Sequence, residues 1–202
     1  MKLVVGLGNP GVKYRFNRHN IGFLILEYSA ERKNKKFIEK DNYLYFCDND
    51  TLFIKPLTYM NLSGEALTEV FEKYDISDFL VLSDDIYLPL GEIRIRSKGG
   101  DGGHNGLKSV AEHLGTVNYN RLRIGVGKPD SGLKDYVLGD FSEDDFEILN
   151  ETMPFVDSLL DVFSKHKFEE VLNNYSKNKK SYSDRIKISE SKDQRSENDK
   201  RL

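Results

Sequence analysis

The sequence predicts a single α/β domain built on a mixed, twisted central β-sheet flanked by helices. Three observations predict it. Short apolar runs of strand character alternate with stretches of helical periodicity along most of the chain, the pattern of a layered α/β fold. Two of the strands flank Asn49-Asp50, a hairpin signal that makes the sheet mixed. The 202 residues, 38% hydrophobic and 11% aromatic, supply one substantial core.

Lys2 to Gly8 is a compact apolar run closed by glycine, the mark of a buried strand. Asn9-Pro10-Gly11 then turns the chain. From His19 or Asn20 to about Lys33, Ile21, Leu24, Ile25 and Tyr28 recur at helical spacing. Tyr43 to Cys47 and Thr51 to Lys55 form the hairpin-like pair. Ser63 to Lys73 reads as a helix, with Ser63 or Asn61 as its cap. Phe79 to Leu82 is a further buried strand and runs into Asp84-Asp85.

Glu92 to Arg96 alternates, with Ile93 and Ile95 on one side and Arg94 and Arg96 on the other. The run from Gly99 to Gly106 reads as a loop, because ordering so many glycines is costly in backbone entropy. A helix follows from Leu107 to Leu114, and Arg121 to Val126 repeats the strand alternation. Two helices are expected, about Glu143 to Ser164 and Phe168 to Tyr175. The domain is thus 1–176, and the polar, charged segment 177–202 is expected to be a disordered tail.

Composition narrows the function classes. No stretch approaches the ~18 apolar residues of a membrane span, and the first apolar run is too short for a secretion signal. Cys47 is the single cysteine, which excludes an internal disulfide and a cysteine-based zinc site. A cytoplasmic protein without membrane contact follows by elimination. The net charge of −3 is uneven: Lys177 to Leu202 holds nine Lys/Arg against five Asp/Glu, which leaves 1–176 at −7. An acidic body is no general nucleic-acid binder, so any RNA contact rests on local basic patches.

Gly6-Leu7-Gly8-Asn9-Pro10-Gly11 matches the G-x-G-x-x-G fingerprint of nicotinamide or flavin enzymes. Three features oppose that oxidoreductase reading. Pro10 removes an amide donor from the loop. Helical periodicity resumes only near residue 20, and Glu27 lies inside a predicted helix instead of ending a second strand.

Sites in open α/β sheets form beyond the carboxyl ends of strands. Asn9 follows the first strand, Asp84 and Asp85 follow the Phe79 strand, and His19 opens the first helix after a polar, basic connection. A histidine with a carboxylate partner makes a general base, the carboxylate holding the tautomer and stabilising the imidazolium. The plainer alternative is that His19 caps its helix. Asn9, Asn61 and Asn105 each sit at an element boundary, where an amide serves equally as ligand contact or as cap and turn residue.

No nucleophile competes, since G-x-S-x-G is absent. His19, His104, His113 and His166 show no metal-ligand spacing. A hydrolase of this sequence would activate water without metal, cofactor or covalent intermediate. Arg94 and Arg96 on one strand and Arg121 and Arg123 on another would, as neighbours, offer guanidinium forks to phosphate or simply form a solvated face.

Six collinear blocks within residues 1–175 resemble the bacterial-type peptidyl-tRNA hydrolase family. They are Gly6 to Gly11, Arg18-His19-Asn20, Lys55 to Gly64, Asp84-Asp85 with Leu88-Pro89, Gly99 to Lys108 and Arg121 to Gly127. The resemblance implies a monomeric, phosphorylase/hydrolase-like α/β fold that cleaves the ester between a peptide and the ribose of tRNA, recycling tRNA released early from ribosomes. It implies His19 as general base, Asp84 as the carboxylate that orients it, and Asn9 as a residue that helps separate N-blocked from free aminoacyl substrates. Tyr14, Tyr59, Asn61 and Asn105 match substrate-contacting positions for the CCA end and peptide. Arg96 and Arg123 match a clamp for the tRNA 5′-phosphate. Tyr87 stands where the family often has a second acid, Tyr59 where phenylalanine is common, and Arg96 where lysine is usual. An inactive tRNA-binding module on the same fold is the alternative, which the intact His19, Asp84 and Asn9 oppose.

Overall fold

Strand β1 (Lys2–Gly6) is apolar on both faces, and this places it at the centre of a seven-stranded sheet. Val4 enters one hydrophobic cluster while Leu3 and Val5 enter the other, as the period-two alternation of a strand requires. The computed structural model describes residues 1–128 and 132–199, with side chains described outside 190–199. The other strands are β2 (Ile38–Glu39), β3 (Tyr43–Asp48), β4 (Thr51–Pro56), β5 (Asp78–Asp85), β6 (Ile93–Arg96) and β7 (Asn120–Gly125). Their order is β2-β3-β4-β1-β5-β7-β6. The four central strands β4, β1, β5 and β7 run parallel. The hairpin partner β3, the short β2 and the far edge strand β6 are antiparallel to their neighbours, so the sheet is mixed as expected.

Helices cover both faces. α1 (Ile21–Arg32), α5 (Glu143–Lys165) and α6 (Phe168–Asp199) pack on one cluster. α2 (Ser63–Lys73) and α3 (Asn105–Leu114) pack on the other. A capping box starts α5, with Ser142 and Asp145 each bonding the other's backbone amide. The short helix α4 (Leu133–Val137) and the two-residue β2 were not expected; neither is long enough to carry a periodic signal.

The glycines of the false dinucleotide fingerprint serve packing. A Cβ on Gly6 would lie 2.4 Å from the Gly22 carbonyl oxygen, and one on Gly22 would lie 2.6 Å from the Leu7 amide nitrogen. β1 and α1 therefore meet backbone to backbone, which brings the 3-10 turn Arg18–Asn20 ahead of α1 close to the end of β1. The last glycine opens only the single 3-10 turn Val12–Tyr14, and α1 begins ten residues later, at Ile21.

The charged tail expected from residue 177 begins within α6. α6 continues as helix to Asp199, so the boundary at 176 cuts through a continuous element. Tyr182 and Ile186 are buried. Tyr182 donates to the Gly91 carbonyl at 2.5 Å and its ring stacks on Phe155 at 4.1 Å. The first turns of this polar segment are docked because two apolar residues one turn apart reach the same surface.

Candidate active site

β1, β5 and β7 are parallel neighbours, so their carboxyl ends lie at one edge of the sheet. A cleft of about 530 Å³ opens there. Asp84, next to last in β5 and buried, points into it. Two rings meet its Oδ1: His19 through Nδ1 at 2.7 Å and His104 through Nε2 at 2.8 Å. Burial by itself disfavours the Asp84 carboxylate, but the two imidazoles outweigh it and hold the group well below the usual carboxylate range.

His104 is the N-cap of α3. Its Nδ1 accepts from the amides of Gly106 at 3.1 Å and Leu107 at 3.2 Å. A nitrogen that accepts from two amides carries no proton, so His104 is the neutral tautomer that donates from Nε2 to Asp84. Asp84 then receives the Nδ1 proton of His19, and the lone pair of His19 lies on Nε2, on the side of the ring away from Asp84. His19 does not cap α1; it lines the cleft. The donor atoms of His19, Asp84 and His104 lie within 4.8 Å of one another. A cation fits them poorly, because freeing His104 Nε2 would put a proton on Nδ1 against the α3 amides.

Asn9 is held from three directions. Its amide donates to Asn20 Oδ1 at 2.8 Å, its carbonyl accepts from Asn20 Nδ2 at 2.9 Å, and its Oδ1 accepts from the Met60 amide at 2.9 Å. With Oδ1 engaged, the group Asn9 offers the cleft is the Nδ2 donor. Neither cap nor turn residue describes it. Tyr14 and Tyr59 meet edge to face at 6.5 Å in the cleft wall, and Asn61 and Asn105 line the cleft with exposed side chains. Met60, Ile86, Leu133, Val137 and Leu138 give the cleft an apolar side.

The four arginines share one sheet face, as the alternation predicts: Arg94 opposes Arg123, and Arg96 opposes Arg121. Their surroundings differ. Arg123 lines the cleft, its Nε 3.1 Å from Asp85 Oδ2, and Arg94 reaches the same oxygen at 3.5 Å. Arg121 is buried, donates to the Gly100 and Val117 carbonyls and stacks on Tyr119 at 4.0 Å, which commits it to holding the loop. Arg96 is exposed and lies outside the cleft lining.

Eight of the nine expected site residues thus line one cleft, and Arg96 alone stands apart. The sequence reading missed His104, Asn20 and the Met60 amide; it raised Asp85 beside Asp84 without a partner, and that partner is Arg123. His104 carried a signal: a polar ring directly ahead of Asn105-Gly106-Leu107 sits where a helix begins and needs an acceptor.

The family model for Peptidyl-tRNA hydrolase matches residues 3–183. The chain belongs to the peptidyl-tRNA hydrolase family. It is 44% identical over 179 residues to the peptidyl-tRNA hydrolase of Thermotoga petrophila, covering 86% of this chain and 96% of that one. It is 40% identical over 182 residues to that of Syntrophomonas wolfei, covering 87% of this chain and all of the relative. Among solved structures, the peptidyl-tRNA hydrolase of Acinetobacter baumannii superposes with a TM-score of 0.77 at 30% identity, covering 86% of this chain and 93% of that chain. The family match ends inside α6, so the last part of that helix lies beyond it. Among the described residues, no helix is long and apolar enough to cross a membrane.

Proposed function

We propose that this family member hydrolyses the ester joining a peptide, or an N-blocked amino acid, to the ribose of tRNA, with His19 as general base. The observation that carries this reading is the 2.7 Å contact between His19 Nδ1 and Asp84, which leaves the Nε2 lone pair at the cleft. His19 Nε2 takes a proton from water as the water attacks the ester carbonyl, and Asp84 stabilises the imidazolium that forms. Asn9 Nδ2 donates to the carbonyl oxygen as charge develops on it. No metal, cofactor or covalent intermediate enters these steps.

Tyr14, Tyr59, Asn61 and Asn105 face the CCA end and the peptide backbone, and the apolar side of the cleft accepts varied side chains. Arg123, with Arg96 diagonally across the β6–β7 pair, serves the 5′-phosphate. A cytoplasmic, monomeric enzyme goes with this reading, and Cys47 is a free thiol.

The test is release of tRNA from N-acetyl-aminoacyl-tRNA by the purified chain, with the unblocked aminoacyl-tRNA as comparison. Hydrolysis of the blocked ester is expected. Retention of tRNA without cleavage would show a binding module instead.

A further inference from the structure

Beyond the cleft, the distal part of α6 carries a cluster of exposed cations. Lys177, Lys179, Lys180 and Lys187 are exposed, and among the described residues none forms an ion pair. Arg185 is engaged by Glu151 at 3.4 Å. The helix is tied down from three points: Tyr175 donates to the Ile93 carbonyl at 2.6 Å, Tyr182 to the Gly91 carbonyl, and Ile186 is buried. These cations therefore stand on a docked helix, and engaging them costs little ordering entropy.

Lys179, Ser183 and Lys187 are spaced four apart and line a groove of about 230 Å³ against Pro89, Leu90 and Glu92. The groove is close to the active site. Ile86 lines the cleft and Pro89 lines the groove, and three residues of chain span at most about 10 Å. Glu92 is the acid in the groove lining, against the two lysines.

We propose that this lysine-bearing face of α6 is a second contact for the phosphate backbone of the tRNA, used when the ester end occupies the cleft. It rests on the substrate reading above. A nucleic acid entering the cleft by one end carries closely spaced phosphates back over the neighbouring surface. The rest of the protein is acidic, so a local cationic patch on a groove that shares the Ile86–Pro89 stretch with the cleft decides where that backbone lies. Lys177, Lys179 and Lys180 lie within the family match, and Ile186 and Lys187 lie beyond it.

The experiment compares the full chain with Lys179→Gln/Lys187→Gln, and with a quadruple variant adding Lys177→Gln and Lys180→Gln. Binding of peptidyl-tRNA is measured across a salt series, and turnover is measured on the same substrate and on an N-acetyl-aminoacyl-adenosine ester without further phosphates. The magnitude of the log Kd against log salt slope should fall by roughly 1–2 in the double variant, about one for each phosphate that a lysine no longer neutralises. KM for peptidyl-tRNA should rise several-fold at low salt, with kcat and the adenosine ester unaffected. Lys→Arg at both positions should restore the slope. A quadruple variant with the original slope and KM overturns the proposal. Failure of the unaltered chain to cleave peptidyl-tRNA would instead overturn the substrate reading.

Discussion

His19 and His104 donate to the same oxygen of Asp84, from 2.7 and 2.8 Å. The two rings are not equivalent. The amides of α3 decide the tautomer of His104, and that donor, with Asp84, decides the tautomer of His19. The start of a helix thereby sets which nitrogen of a different residue faces the cleft.

Replacement of His19 by alanine removes the general base, a contribution worth roughly 10²–10⁴-fold in turnover. kcat should fall within about that range while the Kd for tRNA changes little. Wild-type turnover in His19→Ala would remove this residue from the chemistry.

His104 holds two roles that separate by substitution. His104→Ala should lose the cap of α3, about 1–2 kcal/mol in unfolding free energy, and lower kcat as well. His104→Asn keeps a good capping side chain but is too short for Asp84. Its Tm should recover while its kcat stays reduced. Recovery of both together would mean that His104 acts only as a cap.

Asn20 bonds the backbone of Asn9 through both ends of its amide. In Asn20→Ala those two buried groups lose their partner, at about 1–3 kcal/mol each. Loss of kcat should accompany the loss of stability, because the Nδ2 of Asn9 is displaced. A variant destabilised to this extent yet fully active below its Tm would show that Asn9 needs no such clamp.

Asp84 links activity to acid stability. Its carboxyl lies below the ordinary 3.8 in the folded chain. A depressed carboxyl contributes stability above the unfolded value and loses that contribution as pH falls through and below it. The Tm difference between the unaltered chain and Asp84→Asn should be full above about pH 5 and shrink toward about pH 2. A gap that stays constant or widens on acidification refutes the assignment.

Asp85 is buried and meets Arg123 and Arg94 through one oxygen. Asp85→Asn releases the guanidinium of Arg123. KM for peptidyl-tRNA should rise, with the N-acetyl-aminoacyl-adenosine ester less affected, since the ester chemistry lies at His19. Equal losses on the two substrates would place the effect in the cleft as a whole.

Much of the fold was legible because its signals are local. The two-sided apolar run of β1, the hairpin at Asn49-Asp50 and the paired isoleucines of β6 are readable over a few residues. Arg121 and Arg123 show where local reading stops. They have the same residue type, strand and face, yet one ties down a loop and the other lines the cleft. The carbonyl of Gly100, brought in from another stretch of chain, makes that difference together with the nearby Val117 carbonyl.

From the sequence alone came the α/β class, the mixed sheet and the residues that could do chemistry, since periodicity and residue type are properties of neighbouring positions. The tertiary structure alone decided which nitrogen of His19 is free, which end of the Asn9 amide faces a ligand, and that α6 is docked past residue 177. Each depends on hydrogen bonds or packing between residues far apart in the chain, and no local pattern records those distances.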